Sequence, residues 1–367
     1  MRKKFLLLIA LSLAVGAAGV QIGFNIHQAF IVSIFFVSIL GTLFFWDLRL
    51  SFAFIGSGVL LLIRATDLES FIRFASLDVI LFLIAMMIIV GMMKDAGFFL
   101  WLVTLVLRVK KLNGLKLYVI TMITSAVLSG VMDEVTSIII MVTVILEICD
   151  FFEVKPVPLL IASILATNIG SASTVLGNPV GVLIAARGKL SFEDFLVHAV
   201  PVSAVALFAC IVLVCLFSRK SIKELNGKLV QYQEDKSFLY LISIPPDRRT
   251  KVSIGIFLVT ILLISLHKRF EMLLGLNEGT LLMMIPIMAA GVVMIYRHDK
   301  ARHYIEKEVE WPSILFFMFL FAQAGVIQAS GIASFLAEKM IKAVGNQPQI
   351  LSGFVLVSSA FLSSCVD

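Results

Sequence analysis

Apolar runs of about 15 to 22 residues recur along the whole chain, each near the roughly 20 residues a helix needs to cross the hydrocarbon core. Short segments that gather most of the charge separate them. The pattern predicts membrane helices over residues 5–24, 27–45, 49–64, 77–94, 115–132, 135–149, 158–186, 196–217, 252–267, 280–296, 312–329 and 350–366. Two further stretches, 97–111 and 332–345, are short and flanked by Lys or Arg, and are expected along the membrane interface. The fold class expected is an all-α polytopic membrane protein, with membrane lipid as its surroundings.

Composition sharpens this. The 367 residues are 60% hydrophobic and 15% charged, with a mean hydropathy of +1.05, whereas a soluble domain carries about 25% charged residues. A net charge of +6 would suit a nucleic-acid partner, but the basic residues sit in the short loops, as the positive-inside rule expects. No nucleic acid is therefore implied. With a cytoplasmic N-terminus, cytoplasmic segments hold 22 of the 30 Lys and Arg, including a basic loop from Arg219 to Lys251. Arg2, Lys3 and Lys4 before Phe5 to Val15 suit a first span or a signal peptide equally. The four cysteines show no CxxC spacing, so neither a disulfide nor zinc is implied.

Sliding the chain against itself finds a repeat at an offset of 234 residues. Ile80-Leu81-Phe82 matches Ile314-Leu315-Phe316, Gly91 matches Gly325, Gly97 matches Gly331, and Ser125 to Ser129 matches Ser359 to Ser363, which sets Asp133 on Asp367. Parity of the spans inverts the two copies, and inverted repeats are a recurring architecture of secondary transporters. The organisation expected is N-terminal scaffold helices at 1–76, a first repeat at 77–217, the basic loop at 218–251, further scaffold at 252–310 and the start of a second repeat at 311–367.

Two stretches carry candidate chemistry. Asp133 and Glu134 interrupt the apolar run from Leu117 to Ile148, and an acid at the bilayer centre costs roughly 2.5 to 3.5 kcal/mol. A solvated loop between two full spans would explain the pair. The short second leg and the matching Asp367 favour a re-entrant hairpin over 115–149 with the carboxylates at its tip. The second stretch, Ala166 to Pro179, is small and polar between apolar flanks. Gly170, Gly177 and Pro179 predict a break within the 158–186 helix, because freed backbone groups are tolerated at membrane depth only inside protein or a wet cavity. Thr167, Asn168, Ser171, Thr174 and Asn178, with the freed carbonyls, would then line an ion or oxyanion site.

The chain from about Leu77 to Ala186 resembles the ion transporter superfamily of arsenite permeases, NhaD-type sodium–proton antiporters, the melanosomal P protein and citrate transporters. The residues carrying the resemblance are Met86 to Gly91, Ser125 to Thr136, and Thr167-Asn168-Ile169-Gly170 through Gly177-Asn178-Pro179. It implies two inverted repeats, each with a hairpin and a discontinuous helix, moving against a scaffold that usually forms a homodimer. By motif the hairpin tip falls on Asp133, Glu134 and Thr136, and the broken helix on Thr167, Asn168 and Asn178. Antiporter relatives typically read Asp-Asn where this chain reads Asp133-Glu134, and the offset places the end of a second repeat near residue 451, so the chain reads as a fragment.

The function expected is a secondary active transporter in the cell membrane. Asp133, Glu134 and Asp367 would bind protons and cations competitively, without a cofactor, and sodium–proton antiport is the first reading. Arsenite or oxyanion efflux and citrate or dicarboxylate transport are the alternatives. An intramembrane aspartyl protease would show a Gly-x-Gly-Asp motif, which neither aspartate has; a channel built from the same residues is separated by saturable, pH-coupled flux.

Overall fold

A computed structural model describes residues 2–98, 101, 112–132, 134–188, 190–232, 247–344 and 347–366. Among these the secondary structure is helical, with no strand. Asp133, Asp367 and most of the expected interfacial stretch 97–111 lie outside the described residues. Among the described residues, six helices are 18 residues or longer and apolar enough to cross a membrane, or seven if one bent pair is a single span. The chain is an all-α polytopic membrane protein.

It divides into two compact units, residues 1–80 with 310–367 and residues 81–309. In the first unit α1 (Arg2–Ile22) lies along α2 (Ile26–Phe44). Ser12, Gly16 and Gly19 are buried along α1, and a side chain at Gly16 would meet Ser33 Oγ and one at Gly19 the Phe24 ring. Small residues at helix contacts are how membrane helices approach closely. The unit continues with α3 (Arg49–Leu62), α4 (Leu68–Phe74), and, from the C-terminal segment, α15 (Trp311–Ala329), α16 (Ile332–Val344) and α17 (Pro348–Val366). Its core joins Ile31, Leu60, Phe71, Ala322, Val326 and Ile332. Polar ties cross it: Gln323 Nε2 donates to the Ala53 carbonyl at 2.9 Å and Arg49 to Ser313 Oγ at 2.8 Å.

The second unit begins within α5 (Leu77–Asp95) and holds α6 (Gly114–Val131), α7 (Glu134–Phe151), α8 (Val157–Ser171), α9 (Pro179–Gly188) and α10 (Phe192–Phe217). The break expected in 158–186 is present between α8 and α9. A capping box of Ser191 and Asp194 starts α10 four residues before the apolar run. Next come α11 (Arg219–Tyr232), α12 (Arg248–Ser265), α13 (His267–Leu274), bent by 63° from α12, and α14 (Thr280–Tyr296). The expected basic loop 219–251 therefore opens with a 14-residue helix: Ile222, Leu225 and Leu229 recur at helical spacing and are buried against Leu117, Tyr118 and Cys149. Short α4 and α13 fall below the length at which an apolar run predicts a span.

Several features recur at the 234-residue offset. Helices begin at Leu77 and Trp311, and again at Gly114 and Pro348. Gly97 and Gly331 both turn the chain with positive φ, +76° and +77°, a conformation glycine adopts without a Cβ penalty. Gly91 approaches Glu308 within the second unit, and Gly325 approaches Phe74 within the first. Phe74 and Glu308 are themselves 234 positions apart, so the two close approaches are counterparts.

Candidate functional site

The site is built where α6 crosses α8. Ser125 Oγ lies 2.7 Å from Ser163 Oγ, and one turn further Ser129 Oγ donates to the Thr167 carbonyl at 2.7 Å. Equal steps in one direction mean that the two helices run parallel. Helix α7 runs back toward the start of α6, where Ile148, Cys149 and Phe152 pack with Leu117 and Tyr118, so α6 and α7 form a helical hairpin. All four of Ser125, Ser129, Ser163 and Thr167 are buried. Gly170 makes the approach possible: a Cβ there would lie 2.1 Å from the Ala126 carbonyl oxygen and 2.5 Å from Ser129 Oγ.

At the tip the hairpin locks into the helix break. The Glu134 amide donates to the Gly177 carbonyl at 3.0 Å, and Ser171 Oγ donates to Glu134 Oε2 at 3.0 Å. Thr174 Oγ1 donates to the Gly130 carbonyl. Gly177 tolerates no side chain, since a Cβ would lie 2.1 Å from the Ser171 carbonyl oxygen and 2.7 Å from that of Ser129. Asn178 Oδ1 accepts the Gly181 amide at 2.7 Å, capping the first turn of α9, while its Nδ2 points back to the Ser171 carbonyl at 3.4 Å. The connection is buried at Val175, Leu176 and Gly177, where the Leu176 amide donates to Thr174 Oγ1 at 3.2 Å and the Gly177 carbonyl accepts the Glu134 amide.

The expected site residues separate under this geometry. Glu134, Ser171, Thr174 and Asn178 meet at the junction, with Gly170, Gly177 and Pro179 shaping it. Thr167 supplies its carbonyl to Ser129, while its hydroxyl donates to Ser163 within its own helix at 2.9 Å. Asn168 is exposed and offers its carbonyl to Ser171. Thr136 is half-buried on the first turn of α7. The carbonyls freed at the break, expected to face an ion, accept hydrogen bonds instead: that of Gly170 takes Ser173 Oγ at 2.6 Å and that of Ser171 takes Asn178. The second hairpin leg is 18 residues long, not 15, because Glu134 opens it and the helix runs on through Asp150 and Phe151; an acid in a first turn is favoured by the helix dipole. Ser125, Ser129 and Ser163 were absent from the expected set, although Ser125–Ser129 and Ser163–Thr167 share a four-residue spacing that marks one face of each helix.

Among the described residues, the side chains meeting here bring one carboxylate, two hydroxyls and an amide. The first turns of α7 and α9 both begin at the junction, so two helix N-termini add positive partial charge, which the Glu134 carboxylate complements from within the chain. Beside the crossing a mainly apolar cleft of about 280 Å³ is lined by Val127, Gly130, Ile169, Ser173, Val200 and Leu207.

Residues 41–367 match the family model described as citrate transporter, CitMHS. An uncharacterized transporter of Mycobacterium tuberculosis is 28% identical over 294 residues, covering 79% of this chain and 65% of the relative. The 46 kDa membrane protein of Mycobacterium leprae is 24% identical over 293 residues with the same coverage. The human P protein is 25% identical over 176 residues, 46% of this chain and 21% of that protein. The chain thus spans less than two thirds of the mycobacterial relatives' length.

Proposed function

The chain belongs to the citrate transporter family, CitMHS, and from that premise we propose that it is a secondary active transporter exchanging sodium for protons at the junction of hairpin and broken helix. The observation that carries this reading is the Glu134 carboxylate, which accepts the Ser171 hydroxyl at the helix break while the Glu134 amide donates to the Gly177 carbonyl. A carboxylate in such a place holds a proton or a cation, and each lowers the affinity for the other. Oxygen ligands suit a hard cation: Ser171 Oγ and the carbonyls of Ser171 and Gly177 become ligands once the hydrogen bonds across the break open. Asp133, adjacent in sequence, and Asp367, its counterpart at the repeat offset, supply further carboxylates in this reading. The hairpin with α8 and α9 forms the moving part, the second half is an inverted copy, and the scaffold pairs as a homodimer.

A second reading is favoured by the family's description. Citrate accompanied by a metal ion would present less negative charge to Glu134 than the free tricarboxylate, and the N-termini of α7 and α9 would face its carboxylates. Arsenite, carried as neutral arsenous acid, would use the hydroxyls of Ser171 and Thr174.

The test is proton flux in proteoliposomes carrying this chain, reported by a pH dye on addition of sodium, lithium, arsenite, or citrate with and without magnesium. Sodium should evoke a pH change that falls at least about tenfold in Glu134→Gln and Asp133→Asn, since an amide cannot exchange the proton. A response to metal citrate alone would select the second reading, a response to arsenite the oxyanion one. Sodium-evoked flux unaffected by both variants would remove the carboxylates from the mechanism.

A further inference from the structure

We propose that α11 is a docking surface for anionic phospholipid headgroups, read by Arg219, Lys220 and Lys223. The helix follows α10 with only Ser218 between them. Helix α10 has 26 residues and is apolar enough to span a membrane, with few of its residues fully buried, so α11 starts where a membrane span ends. Its apolar face is already committed: Ile222, Leu225 and Leu229 are buried in the core formed by α6, α7 and α8. That leaves the charged face, and Arg219, Lys220 and Lys223 are all exposed, with no ion-pair partner among the described residues. They fall at i, i+1 and i+4, on one side of the helix. Glu224 flanks them and is the acidic residue of α11; Glu153, from the α7–α8 connection, is paired with Lys228 at 3.0 Å.

Three fixed positive charges at the exit of a span complement an anionic headgroup layer, whose attraction for basic segments falls off within a Debye length. Without a free apolar face, the helix binds by charge, not by insertion as an in-plane amphipathic helix does. The surface is also rigidly mounted. Asn226 Oδ1 accepts the Gly114 amide at the start of α6, and Tyr118 donates to Ser221 Oγ at 2.9 Å. A lipid held on α11 therefore rests on the base of the hairpin whose tip carries Glu134.

The test uses native mass spectrometry of the purified chain, titrated with equal amounts of phosphatidylglycerol and phosphatidylcholine, and needs no transport assay. Each basic residue near an anionic surface is worth roughly a fivefold preference, so the ratio of anionic to neutral adducts should be about tenfold after competition from other sites. Arg219→Gln/Lys220→Gln/Lys223→Gln should lower it to about twofold or less, while Arg219→Lys/Lys220→Arg/Lys223→Arg keeps it. Arg248→Gln/Arg249→Gln/Lys251→Gln, which removes equal charge at the start of α12, should also keep it. An unchanged ratio in the first variant overturns the proposal and leaves the face to a soluble acidic partner. Equal losses in the α11 and α12 variants assign the effect to net charge and overturn it as well.

Discussion

Gly170 and Ser129 together set how closely hairpin and broken helix meet. A Cβ at Gly170 would collide with the backbone of Ala126, whereas one at Gly130 would chiefly meet Ser173 Oγ at 2.8 Å, a side chain that can rotate away at the cost of its hydrogen bond to Gly170. Gly170→Ala should therefore lower thermal stability in detergent by about 1–3 kcal/mol, the usual cost of overpacking, and Gly130→Ala by clearly less; equal effects would contradict the described crossing. Ser129→Ala removes the hydrogen bond to Thr167 and should cost about 0.6 kcal/mol, the average for hydrogen bonds between membrane helices. At this scale the sequence disclosed part of the site. Ser171, Thr174 and Asn178 were legible because polar residues flanked by glycine and proline within an apolar run have few alternatives. Thr167 and Asn168 belong to the same motif yet play backbone roles, because a helix turns them toward its own carbonyl or outward, and side-chain direction depends on the partner helix. The serines of the α6–α8 contact were hidden for that reason: a serine in an apolar helix commonly bonds its own i−4 carbonyl, and only the parallel neighbour shows which ones reach across.

Among the elements, the segment after α14 illustrates how charge outside the membrane spans is organised. The Asp95 carboxylate at the end of α5 accepts Arg297 at 2.7 Å, Lys300, and the Tyr304 hydroxyl at 3.2 Å. Burial, followed by the Asp95 charge, pushes the Tyr304 phenol up to about 12. A raised folded-state value means that the contribution is complete below the ordinary phenol range near 10 and is lost as pH rises through about 12. The hydrogen bond of Arg297 holds Asp299 below the usual carboxylate range, so its contribution is present above about pH 4 and lost on acidification. Tyr304→Phe should accordingly melt below the native chain at pH 8 by about 1–2 kcal/mol, and the gap should close as pH approaches 12. A gap that persists there would show that Tyr304 does not bond Asp95 as a neutral donor. Element boundaries elsewhere were legible where apolar length decides them, as for α14, found at 280–296 as expected. They were not legible where capping decides them: Ser191 and Asp247 start α10 and α12 ahead of their apolar runs. Helix α11 was misjudged because its buried stripe is three residues wide on an otherwise charged segment.

At the scale of the whole molecule, helix starts, glycine turns and one pair of close approaches recur at the sequence offset, but the offset alone does not say which segments share a core. Apolar surface is nearly interchangeable, so only the structure assigns 310–367 to the unit of residues 1–80. The counterpart approaches give the repeat a physical test. Within the first unit a Cβ at Gly325 would lie 2.4 Å from Phe74 Cβ and 2.5 Å from its Cγ; within the second, one at Gly91 would lie 2.8 Å from Glu308 Cβ and Cγ. The root of Phe74, packed against the core that holds Phe71, cannot withdraw, whereas Glu308 is a partly buried side chain ion-paired to Lys94 at 2.9 Å, whose outer atoms can shift. Gly325→Ala should thus cost about 1–3 kcal/mol and Gly91→Ala less, with the second loss exceeding what Lys94→Ala causes only if the Glu308 backbone is fixed. Thermal unfolding of the three variants in one detergent decides the order. A larger loss at Gly91 would mean that the two approaches, although matched in register, are not matched in packing, and the likeness of the two halves would then stop at their helix starts and glycine turns.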